Sequence, residues 1–152
     1  LPLDLHPRLG NNAGLLKALK FTKPKPFFEE RGQFIGLRTS TRLCRDILGS
    51  RLKTALGAPP VKIKGGPSVC RKIGIVTGGA GGSLAKAAAE GVDTFITGEG
   101  AHWTAALAEE LGINVFYGGH YATETFGVKA LAAHLAKTYH LPWTFLDHPT
   151  GL

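Results

Sequence analysis

Four short runs of β-branched and aromatic residues recur through the second half of this chain: "KIGIVTGG" (72–79), "DTFITGE" (93–99), "NVFYGG" (114–119) and "WTFLDHP" (143–149). The segments between them are rich in Ala and Leu at helical spacing. This alternation constrains the fold more than any other feature. Strands alternating with helices in this way imply a sheet with at least partly parallel pairing. The expected class is α/β, a layered sheet with flanking helices.

The first half has a different texture. "NNAGLLKALK" offers Asn11 or Asn12 as an N-cap for a short helix carrying Leu15, Leu16 and Leu19. Prolines 24 and 26 end it. "FFEERGQFIGLRTS" predicts extended structure with a turn near Arg31 and Gly32. From Ser40, "STRLCRDILGSRLKTALG" places Leu43, Ile47, Leu48, Leu52, Ala55 and Leu56 on one helical face and stops at Gly57 before two prolines. "VKIKGGPS" predicts a short strand and a turn. A boundary near 64–72 then divides the chain into an α/β domain, 1–20 with 70–152, and a basic insert of mixed α and β structure, 21–69.

The charge is as uneven as the texture. Residues 1–72 carry 15 Lys and Arg against 4 acids, whereas residues 73–152 carry 3 against 7, within a net charge of +7. Such an excess suits an anionic partner, a phosphate-bearing metabolite or nucleic acid, or it is a solvated basic face. No recognisable nucleic-acid module accompanies it. No run approaches the roughly eighteen apolar residues of a membrane span, and the N-terminus lacks a signal-peptide layout, so a cytoplasmic protein without membrane contact is expected. Cys44 and Cys70 form neither a disulfide framework nor a zinc motif. Leu1 opens inside a structured run and no Met is present, so the chain is expected to be part of a longer protein and its fold incomplete.

Three segments carry candidate chemistry. "TGGAGGSLAKAA" (77–88) is a glycine-rich strand-to-helix turn, but Leu84 stands where the third glycine of GxGxxG would fall and no GK[ST] follows. It serves close packing of strand and helix, or backbone contact with a ligand or neighbouring site. "TGEGAHW" puts Glu99 and His102 past a strand's C-terminal end, the edge where α/β sheets bind ligands; a lone Glu in this place is more often an acid at a helix start. "GGHYATE" opens onto the same edge. If a helix begins at or just before Tyr121, His120 and Glu124 lie one turn apart and reach one point, a metal-ligand spacing. If Thr123 is the N-cap, the convergence is looser. His134, His140 and His148 have no partner spacing and are expected as surface or satisfied structural residues.

Taken together, "LPLDLHPRLGNNAGLL", "GGAGGSLAKAAAEGVDTFITGE" and "GGHYATETFGVKALAAHL" resemble the corresponding stretches of the GTP cyclohydrolase 1 type 2 family, also called Nif-three-like dinuclear metal-centre proteins. The resemblance runs from Leu1 to about Pro149 and is loosest over about 20–70. It implies an α/β fold with two divalent metal ions, assembled as a homo-oligomeric, hexameric toroid. It also implies a ligand set: a His-His pair near the family's N-terminus, which has no counterpart here, an Asp matching Asp4, and a His and Glu matching His120 and Glu124.

The function implied is metal-dependent hydrolysis of an anionic or nucleotide substrate by a metal-activated water, with Zn, Mn, Fe or Co as the ion. The alternative is a non-catalytic metal-bearing ring that binds a partner protein or nucleic acid. The chain as given, lacking the His-His pair, is expected to be inactive. No catalytic residue beyond the ligands is assigned.

Overall fold

The computed structural model describes residues 2–150. A 3-10 turn at Pro2–Leu5 leads to α1 (Asn11–Ala18), then β1 (Lys25–Glu30), β2 (Gln33–Cys44), α2 (Arg45–Leu56), β3 (Val61–Lys64) and β4 (Val69–Ile75). After a second 3-10 turn at Ala80–Ser83 come α3 (Leu84–Ala89), β5 (Thr94–Thr97), α4 (Thr104–Glu110), β6 (Asn114–Tyr117), α5 (His120–Thr123) and α6 (Thr125–Tyr139). The strands form one six-stranded mixed sheet in the order β1-β2-β4-β5-β6-β3.

The centre of this α/β sheet is parallel, β4 against β5 and β5 against β6, as the intervening helices require. Segment 21–69 brackets that centre. Its β2 pairs antiparallel with β4 on one side, and its β3 pairs antiparallel with β6 on the other. Arg31 and Gly32 join β1 to β2 as a two-residue turn with φ of 50° and 79°, the conformation that matches the twist of a hairpin.

Alternation along the central strands divides the core into two layers. Ile96 and Phe116 join Leu15, Leu19, Leu48 and Leu52 on the face covered by α1 and α2. Phe95 and Val115 join Phe27, Leu84, Ala87 and Ala108 on the face covered by α3 and α4. Phe27 and Phe28, although adjacent in β1, share the second layer. A φ of 62° at Phe28 breaks the alternation, and its ring stacks on Phe95 at 6.0 Å between centroids.

Three local expectations give way to longer-range pairing. The helix expected from Ser40 begins at Arg45, because residues 40–44 complete β2 against β4 through a register shift between Ser40 and Leu43. Leu43 still faces the α1/α2 core, but from a strand. "WTFLDHP" forms no strand: it is mostly exposed, and its polar groups bind Tyr121, whose hydroxyl donates to Asp147 at 2.9 Å and accepts from the His148 amide. The N-cap of α1 is Gly10, and Asn11 and Asn12 are buried for tertiary bonds described below.

Candidate metal centre

The C-terminal ends of β4, β5 and β6 meet at one edge, and their loops are bonded to one another. The amides of Gly98 and Glu99 donate to the Gly78 carbonyl at 2.7 and 3.2 Å, and Gly119 N donates to the Gly98 carbonyl at 2.8 Å. Thr123 Oγ1 accepts from Gly78 N and Thr97 Oγ1 donates to Gly78 O. The glycine-rich turn after β4, the "TGE" segment after β5 and the "GGH" segment after β6 therefore share one rigid floor.

Gly119 turns with a φ of 92°, and α5 begins at His120. The four-residue spacing consequently acts as one helical turn, with His120 Nε2 3.5 Å from Glu124 Oε2. Two donors each about 2.1 Å from a tetrahedral ion stand about 3.4 Å apart, so this separation fits two ligands of one ion. On the other side of the ring His120 Nδ1 donates to Glu99 Oε1 at 2.7 Å. That bond places the proton on Nδ1 and leaves the Nε2 lone pair facing Glu124, the arrangement in which a carboxylate orients a ligating imidazole. It also raises the His120 pKa above the ordinary imidazole value, chiefly through the Glu99 hydrogen bond, with desolvation opposing and the Glu124 charge adding.

Space for this cradle comes from the glycine-rich turn. A Cβ on Gly78 would lie 2.5 Å from Glu124 Oε1 and 3.4 Å from His120 Nε2, and the residue's φ of +79° already favours glycine. A Cβ on Gly79 would meet Glu99 Oε1 at 3.4 Å. The turn thus lies against the His120 site. The donor set and the room left around it fit a divalent ion held by imidazole and carboxylate.

Asp4 lies in the first 3-10 turn. Its carboxylate accepts from the Asn11 side-chain amide, whose oxygen in turn accepts from Gly127 N at 2.6 Å. Asn12 donates to the Asp4 carbonyl at 3.3 Å and accepts from Thr77 N at 2.9 Å. Asp4 is therefore tied to α6 three residues beyond Glu124, and to the residue preceding Gly78. His120, Glu124 and Glu99 come together; Asp4 is coupled to the elements that carry them. Among the described residues, no group of three or more His, Cys, Asp or Glu has an arrangement that could hold a metal ion.

Glu99 is not an acid in the first turn of a helix, since α4 starts five residues later at Thr104; its role is to hold His120. As sequence, the adjacent amides Asn11 and Asn12 before an apolar run read only as caps and carry no signal of their tertiary bonds. His102 lines a large cavity beyond Glu99. His134, His140 and His148 are exposed, the surface alternative of the two readings.

A profile of the family Duf34/NIF3 (NGG1p interacting factor 3) matches residues 1–150. The "GTP cyclohydrolase 1 type 2 homolog" of Deinococcus radiodurans is 39% identical over 156 residues, covering 100% of this chain and 59% of its own length. The homolog of the same description from Halobacterium salinarum is 41% identical over 159 residues, covering 100% and 62%. The crystal structure of TTHA1606 from Thermus thermophilus superposes with a TM-score of 0.88 at 39% identity, covering 100% of this chain and 60% of that one. The chain spans about three-fifths of the length of these relatives.

Proposed function

The chain belongs to the Duf34/NIF3 family, and from that premise we propose that it carries the His120 side of a dinuclear divalent-metal centre in a metal-dependent hydrolase. The observation that supports this reading is the 3.5 Å approach of His120 Nε2 to Glu124 Oε2 over a floor kept open by Gly78. His120 and Glu124 would be ligands, and Asp4 a third, presented from the first turn by Asn11 and Asn12. Imidazole and carboxylate donors suit Zn, Mn, Fe or Co.

Bound there, a divalent ion supplies charge that polarises a substrate oxygen and acidifies water. The chain's own residues do the rest. Glu99 keeps the His120 proton on Nδ1 and the ring pointing at Glu124. The bonded loops after β4, β5 and β6 fix the floor, so little reorganisation accompanies binding.

GTP as substrate follows the description of the relatives and belongs to this proposal, as does assembly into a homo-oligomeric ring. Apolar side chains exposed on α6 and the segment after it, Val128, Leu135, Trp143 and Leu146 among them, support self-association. Among the described residues no helix is long and apolar enough to cross a membrane.

Metal analysis after gel filtration tests the reading. The protein is expected to retain divalent ions, and His120→Ala and Glu124→Ala each to lose them while eluting at the same volume. Full metal content in the double variant would overturn it.

A further inference from the structure

Glu99 lines two cavities. The smaller, about 420 Å³, contains the faces of Glu99, His120, Tyr121 and Glu124. The larger, about 840 Å³, shares Glu99 and Tyr121 with it. That size is within the range of ligand pockets, roughly 300–1,000 Å³. We infer that the larger cavity seats a neutral, planar, N–H-bearing ring of the substrate, with any phosphate groups held outside it. The inference rests on the hydrolase reading for the word substrate, but not for the binding itself.

The walls set the shape. Leu56, Pro59, Val61 and Ile63 form an apolar side, and Tyr117 and Tyr121 contribute aromatic rings. Both rings are held. The Tyr117 hydroxyl is 2.6 Å from Thr104 Oγ1, and Tyr121 is bonded to Asp147 and the His148 amide. Fixed aromatic faces beside an aliphatic wall favour a flat ligand at small entropic cost.

The charges set its polarity. Among the described residues no Lys or Arg lines this cavity; its ionisable side chains, besides the two tyrosines, are the carboxylates of Glu99 and Asp147 and the imidazole of His102. A phosphate placed here would meet two carboxylates with only the His102 imidazole to offset them and no Lys or Arg, so the basic excess of the chain does not serve this pocket. Asp147 already accepts from Tyr121. Glu99 Oε1 accepts from His120, which leaves Oε2 to accept an N–H from a ligand. A ring seated this way lies against the residue that orients His120.

Equilibrium dialysis of guanosine against the protein is the test, guanosine being a neutral ring with N–H donors and no phosphate. Saturable binding is expected with and without chelator. Ala105→Phe, which fills the cavity from α4, and Ala58→Trp, in the loop after α2, should each weaken it by about tenfold or more, the scale of a lost central contact, with metal content unchanged. Inorganic triphosphate should leave guanosine binding to the unmodified protein unaltered. Absence of guanosine binding, displacement by triphosphate, or undiminished binding to both variants with native circular dichroism would each overturn the inference. Guanosine binding sensitive to Ala105→Phe in a protein that retains no metal would support the cavity assignment while removing the hydrolase reading.

Discussion

Glu99 and His120, twenty-one residues apart, are joined by a 2.7 Å bond from Nδ1 to Oε1 across the ends of β5 and β6. The pair exists because those strands are parallel neighbours, with Thr97 opposite Tyr117 at their last rung. Two segments that look independent along the chain thereby become one acid–imidazole unit, and Glu124 faces its other nitrogen.

The raised pKa of His120 makes the first prediction. A metal ion needs the deprotonated Nε2, so metal uptake should rise with pH through a value above the ordinary imidazole range of about 6.5. Glu99→Gln removes the first cause of the shift and should move both the imidazole titration and the onset of uptake to lower pH. The sign for stability is opposite. A group raised in the folded state contributes stability below its unfolded pKa and loses it as pH rises through the folded one, and partial exposure keeps that contribution small. Imidazole NMR titration of chelator-treated protein checks the shift; an unchanged midpoint in Glu99→Gln would contradict it.

Gly78→Ala should damage both the backbone and the site. The φ of +79° costs a β-carbon about 1–2 kcal/mol, and the new methyl group would push the Glu124 carboxylate away from His120. Denaturant unfolding should show a loss of that order, and metal content should fall. Gly82→Ala is the control, since a Cβ there meets nothing within 4 Å. Equal metal content in the two variants would refute the crowding argument.

Arg45 separates structural from solvated basic residues. Its Nη1 donates to the Gly66 carbonyl at 3.1 Å and to Asn114 Oδ1 at 3.0 Å, tying the start of α2 to β6. Arg42 is exposed. Arg45→Met should cost about 1–3 kcal/mol, because the Gly66 carbonyl loses its donor while Asn114 Oδ1 keeps only the Gly66 amide, and Arg42→Met should stay within about 0.5 kcal/mol. Urea midpoints decide; equal midpoints would place Arg45 among the dispensable surface charges.

Features that depend on near neighbours were legible in the sequence. The spacing of Leu48 and Leu52, the stop at Gly57 and the turn at Arg31 and Gly32 all follow from local sterics and period. The spacing of His120 and Glu124 was legible for the same reason. Features that depend on which segments become neighbours were not. Residues 40–44 have a helical pattern until β4 offers a ladder, and "WTFLDHP" has strand composition with no ladder to join. Glu99 carried two readings because its partner lies on another loop.

The last prediction concerns Asn11, which was hidden in the same way. Its side chain donates to the Asp4 carboxylate and accepts from the buried Gly127 amide, linking the first turn to α6 behind Glu124. Asn11→Ala leaves that amide without its acceptor, a loss of about 1–3 kcal/mol that should vary little with pH. Asn11→Asp keeps an acceptor for Gly127 but sets a second carboxylate against Asp4. Two such groups cannot both ionise freely, so one acquires a raised pKa in the folded state. The variant is then relatively favoured at low pH, where a shared proton restores the donor, and loses stability as pH rises through that raised value. Urea unfolding of both variants at about pH 5 and pH 7, compared with the parent protein, should show the Asn11→Asp deficit widening toward pH 7 while that of Asn11→Ala holds steady. Parallel pH profiles for the two variants would mean that Asn11 serves Gly127 alone and does not hold Asp4.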